Sequence, residues 1–392
     1  MISEKISNNL KGSSMIRAMF EEGERLRKIY GADKVYDFSL GNPDIEPPGE
    51  VKKTLQHLVN SDEEGLHRYM SNAGYFDVRE KVANYLNKEK SSQLTRDNIV
   101  MTCGAAAALN VVLKTILDPG EEVIVFSPYF VEYLHYIDNY DGKPVIVPTV
   151  KDTFEPDIDA FKKSINANTK AVIINSPNNP TGVIYSEDIL AKMADVISSK
   201  QKEYSTNILL IADEPYDKIV YDGAKVPSVF KIFKNSVIVN SFSKSLALPG
   251  ERIGFIAANS KIEDVKTLMD GFILCNRILG FVNAPAIFQK TVADCLDATV
   301  DTEGYKKKRD TLYNHLVSLG FECIKPQGAF YLFPKSPVDD KEFTSRAAKH
   351  NILVVPGSGF GCPGYFRLSY CISLKTIENS LPAFDALAKE FK

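Results

Sequence analysis

The sequence predicts an α/β protein whose core is a largely parallel β-sheet covered by helices on both faces. Between about residues 100 and 260, short runs rich in β-branched residues alternate with longer amphipathic segments. This alternation is typical of parallel strands joined by helical crossovers. Ligands of such sheets bind beyond the carboxyl ends of the strands, and each predicted strand is followed by a polar cluster. The predicted strands are Glu122–Phe126, Ala171–Ile174, Ile208–Ile211, Val237–Val239 and Ile253–Ile256.

The chain changes character after about residue 285. Two long helical segments, 303–319 and 375–390, flank short strand candidates at Phe330–Phe333 and Ile352–Val355. This mixture predicts a separate α+β region. Because 392 residues exceed the usual single domain, we expect two domains, or one large domain with an appendage.

Composition and charge exclude several classes of function. The net charge of -3 provides no basic field for nucleic acid, and no apolar run is long enough to span a membrane. The first ten residues are polar and of mixed charge, unlike a signal peptide, so we expect a cytoplasmic protein. The six cysteines form no C-x-x-C pair, and the five histidines are scattered. We therefore expect reduced thiols and no metal site.

Three stretches combine an ordinary local structure with a chemical possibility. The loop Gly41–Pro48 ends in two prolines and cannot continue as a helix. Residues 102–109 run from a strand candidate into an alanine-rich helix, whose free N–H groups and positive dipole end can hold an anion. Asp213 lies just beyond the apolar strand Ile208–Ile211, and a carboxylate so close to a core must be paired or lose its charge.

The stretch Ser241–Gly254 carries the strongest chemical signal. The apolar run Val237–Val239 before it predicts a buried strand that ends in a polar loop carrying Lys244, which lies between two serines and eight residues before Arg252. A lysine at a strand end near a second cation can have its pKa lowered until the neutral amine forms a Schiff base with an aldehyde. The pattern S-x-S-K-x-x-x-x-P-G-x-R-x-G resembles the cofactor-lysine signature of the class I aminotransferases, enzymes that use pyridoxal 5′-phosphate (PLP).

The resemblance extends from Gly41 to Arg367, with the family's motifs in the family's order. It implies the PLP-dependent transferase fold of type I, in which a smaller α+β domain closes over a large domain with a mostly parallel sheet. The implied large PLP-binding domain spans residues 46–284. Residues 1–45 and 285–392 would form the small domain together.

The resemblance also assigns cofactor roles. Lys244 would be the Schiff-base lysine and proton shuttle, Asp213 would pair with the protonated pyridine nitrogen, and Tyr216 would bind the 3′-oxygen. Together with these three residues, the implied cofactor-binding set is Gly104, Ala105, Ala106, Ser241 and Arg252 at the phosphate, Phe130 stacked on the ring, and Asn179 at the 3′-oxygen.

Substrate and subunit contacts follow from the same comparison of motifs. Gly41 and Asn179 would meet the substrate, and the planar fork of Arg367 would grip its α-carboxylate with two hydrogen bonds. Tyr69 would cross a subunit interface to the cofactor phosphate of the neighbouring chain, so the resemblance implies a homodimer with shared active sites. The peptide bonds before Pro128 and Pro180 are predicted to be cis.

The implied activity is transfer of an amino group from an L-amino acid to a 2-oxo acid by a ping-pong mechanism. A PLP-dependent carbon–sulfur lyase, or another eliminating enzyme on the same fold, remains an alternative because the cofactor motifs are shared. A PLP-binding regulator is the alternative from another class, although neither spare length nor basic charge provides a DNA-reading module.

The amino donor also stays open, with aspartate and 2-oxoglutarate as one possible pair. A dicarboxylate donor needs a second cation for its side-chain carboxylate, because burying that charge unpaired is costly. Arg277 lies upstream of Val282–Pro285, about one residue from the family's register for such an arginine. It therefore either reads a substrate carboxylate or points to solvent, in which case neutral donors are favoured.

Overall fold

A seven-stranded sheet forms the centre of the computed structural model, which describes residues 1–12, 15–61 and 64–391. Two much smaller sheets accompany it. The strands are β1 (Tyr36–Asp37), β2 (Ile99–Thr102), β3 (Glu122–Ser127), β4 (Lys143–Pro148), β5 (Thr169–Asn175), β6 (Leu209–Asp213), β7 (Ser236–Ser241), β8 (Gly254–Ala258), β9 (Tyr331–Leu332), β10 (Ile352–Leu353), β11 (Val355–Pro356) and β12 (Phe366–Ser369).

The large sheet has the order β2-β8-β7-β6-β5-β3-β4. Strands β3 to β7 pair in parallel, whereas β8 runs antiparallel to both β2 and β7. Side chains alternate between two cores: Ile238 of β7 packs into one, while Val237 and Val239 pack into the other. Burial on both faces explains the continuous β-branched runs, and it confirms the predicted α/β fold with a mostly parallel sheet.

Helices cover both faces of the sheet and build most of the remaining structure. Several begin at polar caps; for example, Ser186 accepts a hydrogen bond from the Ile189 N–H. The α-helices are α1 (Glu4–Gly12), α2 (Met15–Tyr30), α3 (Gly49–Val59), α4 (Phe76–Lys90), α5 (Ala105–Ile116), α6 (Glu132–Asp138), α7 (Ile158–Ser164), α8 (Glu187–Tyr204), α9 (Val229–Ile232), α10 (Phe242–Ser245), α11 (Val265–Ile278), α12 (Ala286–Asp294), α13 (Thr302–Ser318), α14 (Asp340–Lys349) and α15 (Leu374–Lys389). Short 3₁₀ helices span Ala32–Lys34, Arg96–Asn98 and Gly357–Phe360.

The last third of the chain forms the α+β region that the sequence predicts. Its small sheets have the orders β11-β12-β9 and β1-β10, so the second one joins a strand near the N-terminus to one near the C-terminus. Helices α13 and α15 begin and end within one residue of their predicted bounds, and Leu312 of α13 shares a core with Phe384 of α15. The same core includes Tyr216, which follows β6 of the large sheet.

Two predicted cis peptide bonds can be compared directly with the structure. The Ser127–Pro128 and Asn179–Pro180 bonds are cis as predicted, and Ser176–Pro177 is cis as well. All six cysteines are free thiols. Within the described ranges, no helix is long and apolar enough to cross a membrane, and no group of three or more His, Cys, Asp or Glu side chains could hold a metal ion.

Candidate active site

A cavity of about 380 Å³ lies at the carboxyl ends of the central strands. Asn175, Asp213 and Ser241 end the adjacent strands β5, β6 and β7, and all three line it. Tyr331 and Arg367 of the α+β region also line it. The position agrees with the strand-end site that the sequence predicts. The cavity is lined by most of the predicted site residues, namely Gly41, Ala105, Ala106, Phe130, Asn179, Asp213, Tyr216, Ser241, Lys244, Arg252 and Arg367.

Lys244 lies on the one-turn helix α10 that follows β7, whereas the sequence had predicted a polar loop there. The hydrogen bonds of one helical turn are local, and a turn of four residues leaves no periodic pattern to detect. The Lys244 Nζ donates a hydrogen bond of 2.7 Å to the Gly41 carbonyl. Burial lowers the pKa of Lys244 to about 8, and the positive charges of Arg367 and Arg252 act in the same direction. The neutral amine is therefore more accessible near pH 7 than in an ordinary lysine.

Asp213 presents one satisfied and one unsatisfied oxygen. Its Oδ2 accepts a hydrogen bond of 2.5 Å from the Tyr133 hydroxyl, while its Oδ1 is buried without a partner among the described residues. Burial raises the pKa of Asp213 to about 7; the Tyr133 hydrogen bond lowers it, and the charge of Glu214 raises it further. A buried acceptor without a partner is costly, so this oxygen is ready for an N–H donor from a ligand.

Two asparagines connect the backbone of Asp213 to Arg367. The Asn175 side chain donates to the Asp213 carbonyl over 2.9 Å and accepts from the Asn179 N–H over 2.7 Å. Arg367 then donates to the Asn179 side chain over 3.0 Å and to the Ser39 carbonyl over 2.6 Å. The Arg367 Nε is buried and unpartnered within the described structure, and burial lowers the pKa of this guanidinium. Arg367 is thus held in place with donor capacity left for a carboxylate.

The start of α5 forms an anion cradle with Arg252. Gly104, directly before the helix, has a φ of +84°, and a Cβ at this residue would lie 2.9 Å from the Arg252 Nη2. Arg252 itself is fixed by hydrogen bonds to the Pro249 and Cys103 carbonyls. Only glycine permits this close approach, which sets a guanidinium beside the free N–H groups of the first helical turn.

Sequence reasoning missed three tyrosines that line the cavity: Tyr133 and Tyr136, both on α6, and Tyr331. Tyr133 comes three residues after Phe130, and its ring meets the Phe130 ring edge-on with centroids 5.5 Å apart. The Tyr331 hydroxyl lies 2.9 Å from the Tyr216 hydroxyl. Tyr133 had a signal in the sequence, because it lies one turn after the predicted site residue Phe130. Tyr331 had only its place in a predicted strand.

Three predicted residues do not line the cavity: Gly104, which lies beside Arg252 as described above, and Tyr69 and Arg277, which lie on the surface. Tyr69 is 91% exposed, and Arg277 is exposed in the last turn of α11. Their segments are joined by hydrogen bonds: the Asn72 side chain donates to the Val282 carbonyl, and the Asn276 side chain donates to the Asn72 carbonyl. We call these residues, 69–72 and 276–283, the Tyr69–Arg277 surface. The chain alone does not bring this surface into its own cavity.

The cavity matches the chemistry of PLP group by group. The partly neutral amine of Lys244 suits an aldehyde, the free oxygen of Asp213 suits a ring N–H, and the α5–Arg252 cradle suits a phosphate. The unpartnered Nε of Arg367 lies where it can meet a substrate carboxylate. The residues present therefore fit both the cofactor and an amino acid.

Comparisons with known proteins agree with this chemistry. A solved structure of an amino transferase from Eubacterium rectale matches with a TM-score of 0.97 and 41% identity over 100% of both chains. The aspartate aminotransferase from Thermus thermophilus with maleate matches with a TM-score of 0.87 and 27% identity over 99% of both. A probable aspartate/prephenate aminotransferase from Aquifex aeolicus is 34% identical over 355 residues, 86% of this chain and 87% of that protein. Because the family model for aminotransferases of class I and II also matches residues 33–384, the chain belongs to this PLP-dependent family.

Proposed function

We propose that this aminotransferase works in the strand-end cavity, with Lys244 as the residue that holds the cofactor and shuttles the proton. Bound PLP supplies an aldehyde and an electron-withdrawing ring. The observation that carries the proposal is the Lys244 amine, whose pKa is lowered to about 8 in a cavity that also holds the free oxygen of Asp213. Once free, the Lys244 Nζ would take the Cα proton of the amino acid as general base and deliver it as general acid to the cofactor carbon C4′.

The strand-end residues orient the cofactor. Asp213 shares a proton with the ring nitrogen through Oδ1, while the Tyr133 hydroxyl holds the other carboxylate oxygen in place. Tyr216 and Asn179 donate hydrogen bonds to the 3′-oxygen. Phe130, partly buried beside Tyr133, stacks on the ring.

The remaining roles concern the two anions. Arg252, Ser241 and the backbone of Gly104, Ala105 and Ala106 bind the phosphate. Arg367 grips the α-carboxylate of the amino acid. Gly41, whose carbonyl accepts a hydrogen bond from Lys244, lies beside the bound amino acid. The unpartnered Nε leaves Arg367 a donor for this carboxylate in addition to its hydrogen bond to the Ser39 carbonyl.

Reduction with borohydride tests the lysine assignment. It should fix PLP to the Lys244 peptide, and Lys244→Ala should lose both the label and turnover while retaining some PLP through the phosphate. Lys218→Arg is the matched control, because burial also lowers the pKa of Lys218, which lies outside the cavity and donates to the Leu296 and Ala298 carbonyls. This control should keep the label on Lys244. A label on any other lysine would overturn the assignment.

We also propose the division into a large domain of residues 46–284 and a small domain of residues 1–45 with 285–392. The β1–β10 pairing supports it, because it ties a segment before residue 46 to the C-terminal region. A homodimer is proposed on the exposed Tyr69–Arg277 surface, which would reach the cavity of a second copy. The six free thiols support a cytoplasmic location.

Aspartate is the amino donor that we propose, with 2-oxoglutarate as acceptor. The lining residues include three cations, Lys244, Arg252 and Arg367, and the roles above use all of them. A side-chain carboxylate therefore needs a further cation, and Arg277 of a second copy can supply it because its surface also carries Tyr69. Two of the similar proteins named above are aspartate or probable aspartate/prephenate aminotransferases.

The donor proposal is tested by the ratio of kcat/KM for aspartate to that for alanine. Arg277→Ala should lower this ratio at least tenfold, about 1.4 kcal/mol, because a buried charge pair is lost. Lys266→Ala, which removes a cation from the other end of α11, should leave the ratio unchanged. An unchanged ratio in Arg277→Ala would indicate neutral donors.

A further inference from the structure

Tyr331 is a buried polar group in the cavity for which the reaction above has no use. It is 2% exposed, and its hydroxyl lies 2.9 Å from that of Tyr216. Its ring meets the Tyr216 ring edge-on, with centroids 5.8 Å apart. Burying a hydroxyl is costly unless it is hydrogen-bonded, and the Tyr216 hydroxyl is the partner in this case.

The same side chain reaches the substrate end of the cavity. The Arg367 guanidinium carbon lies 4.8 Å from the centre of the Tyr331 ring, within the range of a cation–π contact. The Tyr331 hydroxyl also packs against Gly41, so closely that a Cβ on this glycine would lie 2.2 Å from the oxygen. One residue therefore touches the tyrosine of the cofactor side, the arginine of the substrate side and the loop whose carbonyl accepts from Lys244.

We propose that Tyr331 is a positioning residue with two separable parts: its hydroxyl directs the Tyr216 hydroxyl toward the cofactor, and its ring supports Arg367 at the substrate carboxylate. The inference rests on the proposed function, since it assumes that Tyr216 donates to the 3′-oxygen and Arg367 binds the carboxylate. It adds a residue to which no role was assigned from the sequence.

Counting hydrogens fixes the direction of the tyrosine pair. Each hydroxyl has one hydrogen, and the pair uses one of the two for its mutual bond. If Tyr216 donates to the cofactor, its own hydrogen is committed there, so Tyr331 must be the donor within the pair. A hydroxyl that accepts a hydrogen bond becomes a better donor, because the bonds of a chain polarise one another. Tyr331 therefore strengthens the contact that Tyr216 makes.

Tyr331→Phe removes the hydroxyl and keeps the ring. Tyr216 then donates more weakly, the 3′-oxygen keeps more negative charge, and the nitrogen linking Lys244 to the cofactor holds its proton more tightly. We expect the pKa of that nitrogen, followed by the visible absorbance of the loaded protein, to rise by about half a unit. The KM for the amino donor should change less than about twofold, because the cation–π contact remains.

Tyr331→Leu also removes the ring and should raise KM by about threefold to tenfold beyond Tyr331→Phe, since Arg367 loses its aromatic support. A thermal unfolding curve for each variant shows whether it is folded. Tyr221→Phe is the control: Tyr221 is another buried tyrosine, donates to the Ala329 carbonyl and does not line the cavity. It should leave both the absorbance titration and KM unchanged.

A double-variant comparison separates a direct link from a general disturbance. In a Tyr216→Phe background, Tyr331→Phe should produce no further shift of the absorbance pKa, because the hydroxyl it would direct is absent. An equal shift in both backgrounds, or an unchanged titration in Tyr331→Phe alone, would overturn the inference. Borohydride labelling separates failure of the proposed function from failure of this inference. A label on a lysine other than Lys244 would contradict the proposed function. A label on Lys244 together with an unshifted absorbance titration would contradict this inference alone.

Discussion

The predicted site residues fall into two regions with opposite surroundings. Asp213 is 6% exposed at the end of β6, whereas Tyr69 is 91% exposed on the Tyr69–Arg277 surface. In the first region, burial leaves physical traces within one chain: a pKa raised to about 7 for Asp213, a pKa lowered to about 8 for Lys244, and carboxylate and guanidinium atoms without partners. In the second region, solvent screens the charge of an exposed side chain such as Arg277.

This difference between the buried and the exposed region shows which residues reveal their function in the structure of a single chain. A buried titratable group must be paired, neutralised or kept for a ligand, so its surroundings limit what it can do. An exposed residue acquires a role only when another surface covers it. The predictions below probe the buried region first and the exposed region last.

The largest effect should come from Asp213→Asn. A neutral amide does not stabilise a protonated ring nitrogen, so kcat/KM should fall by about 100- to 1000-fold, the typical loss for one electrostatic contact of the transition state. Glu214→Gln is the matched control, because Glu214 is the next carboxylate in the chain but faces Lys90 at 2.8 Å and does not line the cavity.

In the control, the free energy of unfolding should fall, by about 3 kcal/mol for a broken buried pair, while kcat/KM of the folded protein stays within about threefold. Steady-state kinetics and urea unfolding measure both quantities. Equal kinetic losses in the two variants would show that burial at this strand end matters more than the position of the carboxylate.

A smaller effect should follow from Gly41→Ala. The added Cβ would lie 2.2 Å from the Tyr331 hydroxyl oxygen but 3.1 Å from the ring carbon that bears it. We expect a loss of about 1–3 kcal/mol in the free energy of unfolding, as for other overpacked sites. Adding Tyr331→Phe removes the closest atom and should restore part of this stability. If the two substitutions change the free energy of unfolding by additive amounts, the loop that carries Gly41 must move away from Tyr331 in the Gly41→Ala variant.

Most of the fold could be predicted because its signals are local and repeated. Strands buried on both faces need continuous apolar runs, which β5, β6 and β7 show, and α13 and α15 have a helical period over many turns. Helix α10 was missed because four residues cannot show a period. Such a short helix is stabilised by tertiary contacts, which a local sequence pattern does not show.

The site divides in the same way. Asp213 could be predicted because a carboxylate directly after an apolar strand demands a partner, and Lys244 because it lies in a long and specific motif. The link between Tyr216 and Tyr331 could not, since 115 residues separate them and only the packed core brings their hydroxyls together. Asn175 directly follows the predicted strand Ala171–Ile174, but its bond to the Asp213 carbonyl depends on the pairing of β5 with β6.

Stability should depend on pH through Lys244. Its pKa is about 8 in the folded chain and 10.5 as the reference value, so above pH 8 the unfolded chain binds more protons than the folded chain. The free energy of unfolding must then rise with pH across this window. From pH 7.5 to 9.5 the cofactor-free wild type should gain about 1–2 kcal/mol relative to Lys244→Met, measured by urea unfolding. A difference that stays flat would mean that Lys244 is solvated.

The smallest effect is expected at the exposed region, from Tyr69→Phe. If Tyr69 binds the phosphate in a second copy, losing its hydroxyl should weaken PLP retention by roughly tenfold, the lower part of the range for a hydrogen bond to a charged group. Tyr30→Phe, at a tyrosine that is 50% exposed elsewhere, should retain PLP like wild type. Sedimentation should show a dimer, and a fully active monomer would contradict the role.

Mixing two variants makes this last prediction specific to the partner. A hybrid of one Lys244→Ala chain and one Tyr69→Phe chain contains a site with Lys244 from the second chain and Tyr69 from the first. If Tyr69 acts across the interface, that site is intact and should retain PLP like wild type. If Tyr69 acts within its own chain, the only site that contains Lys244 also contains the Tyr69→Phe substitution and should retain PLP weakly. Retention measured after mixing, against each variant alone, therefore decides whether the exposed tyrosine completes a neighbour's site or serves only its own surface.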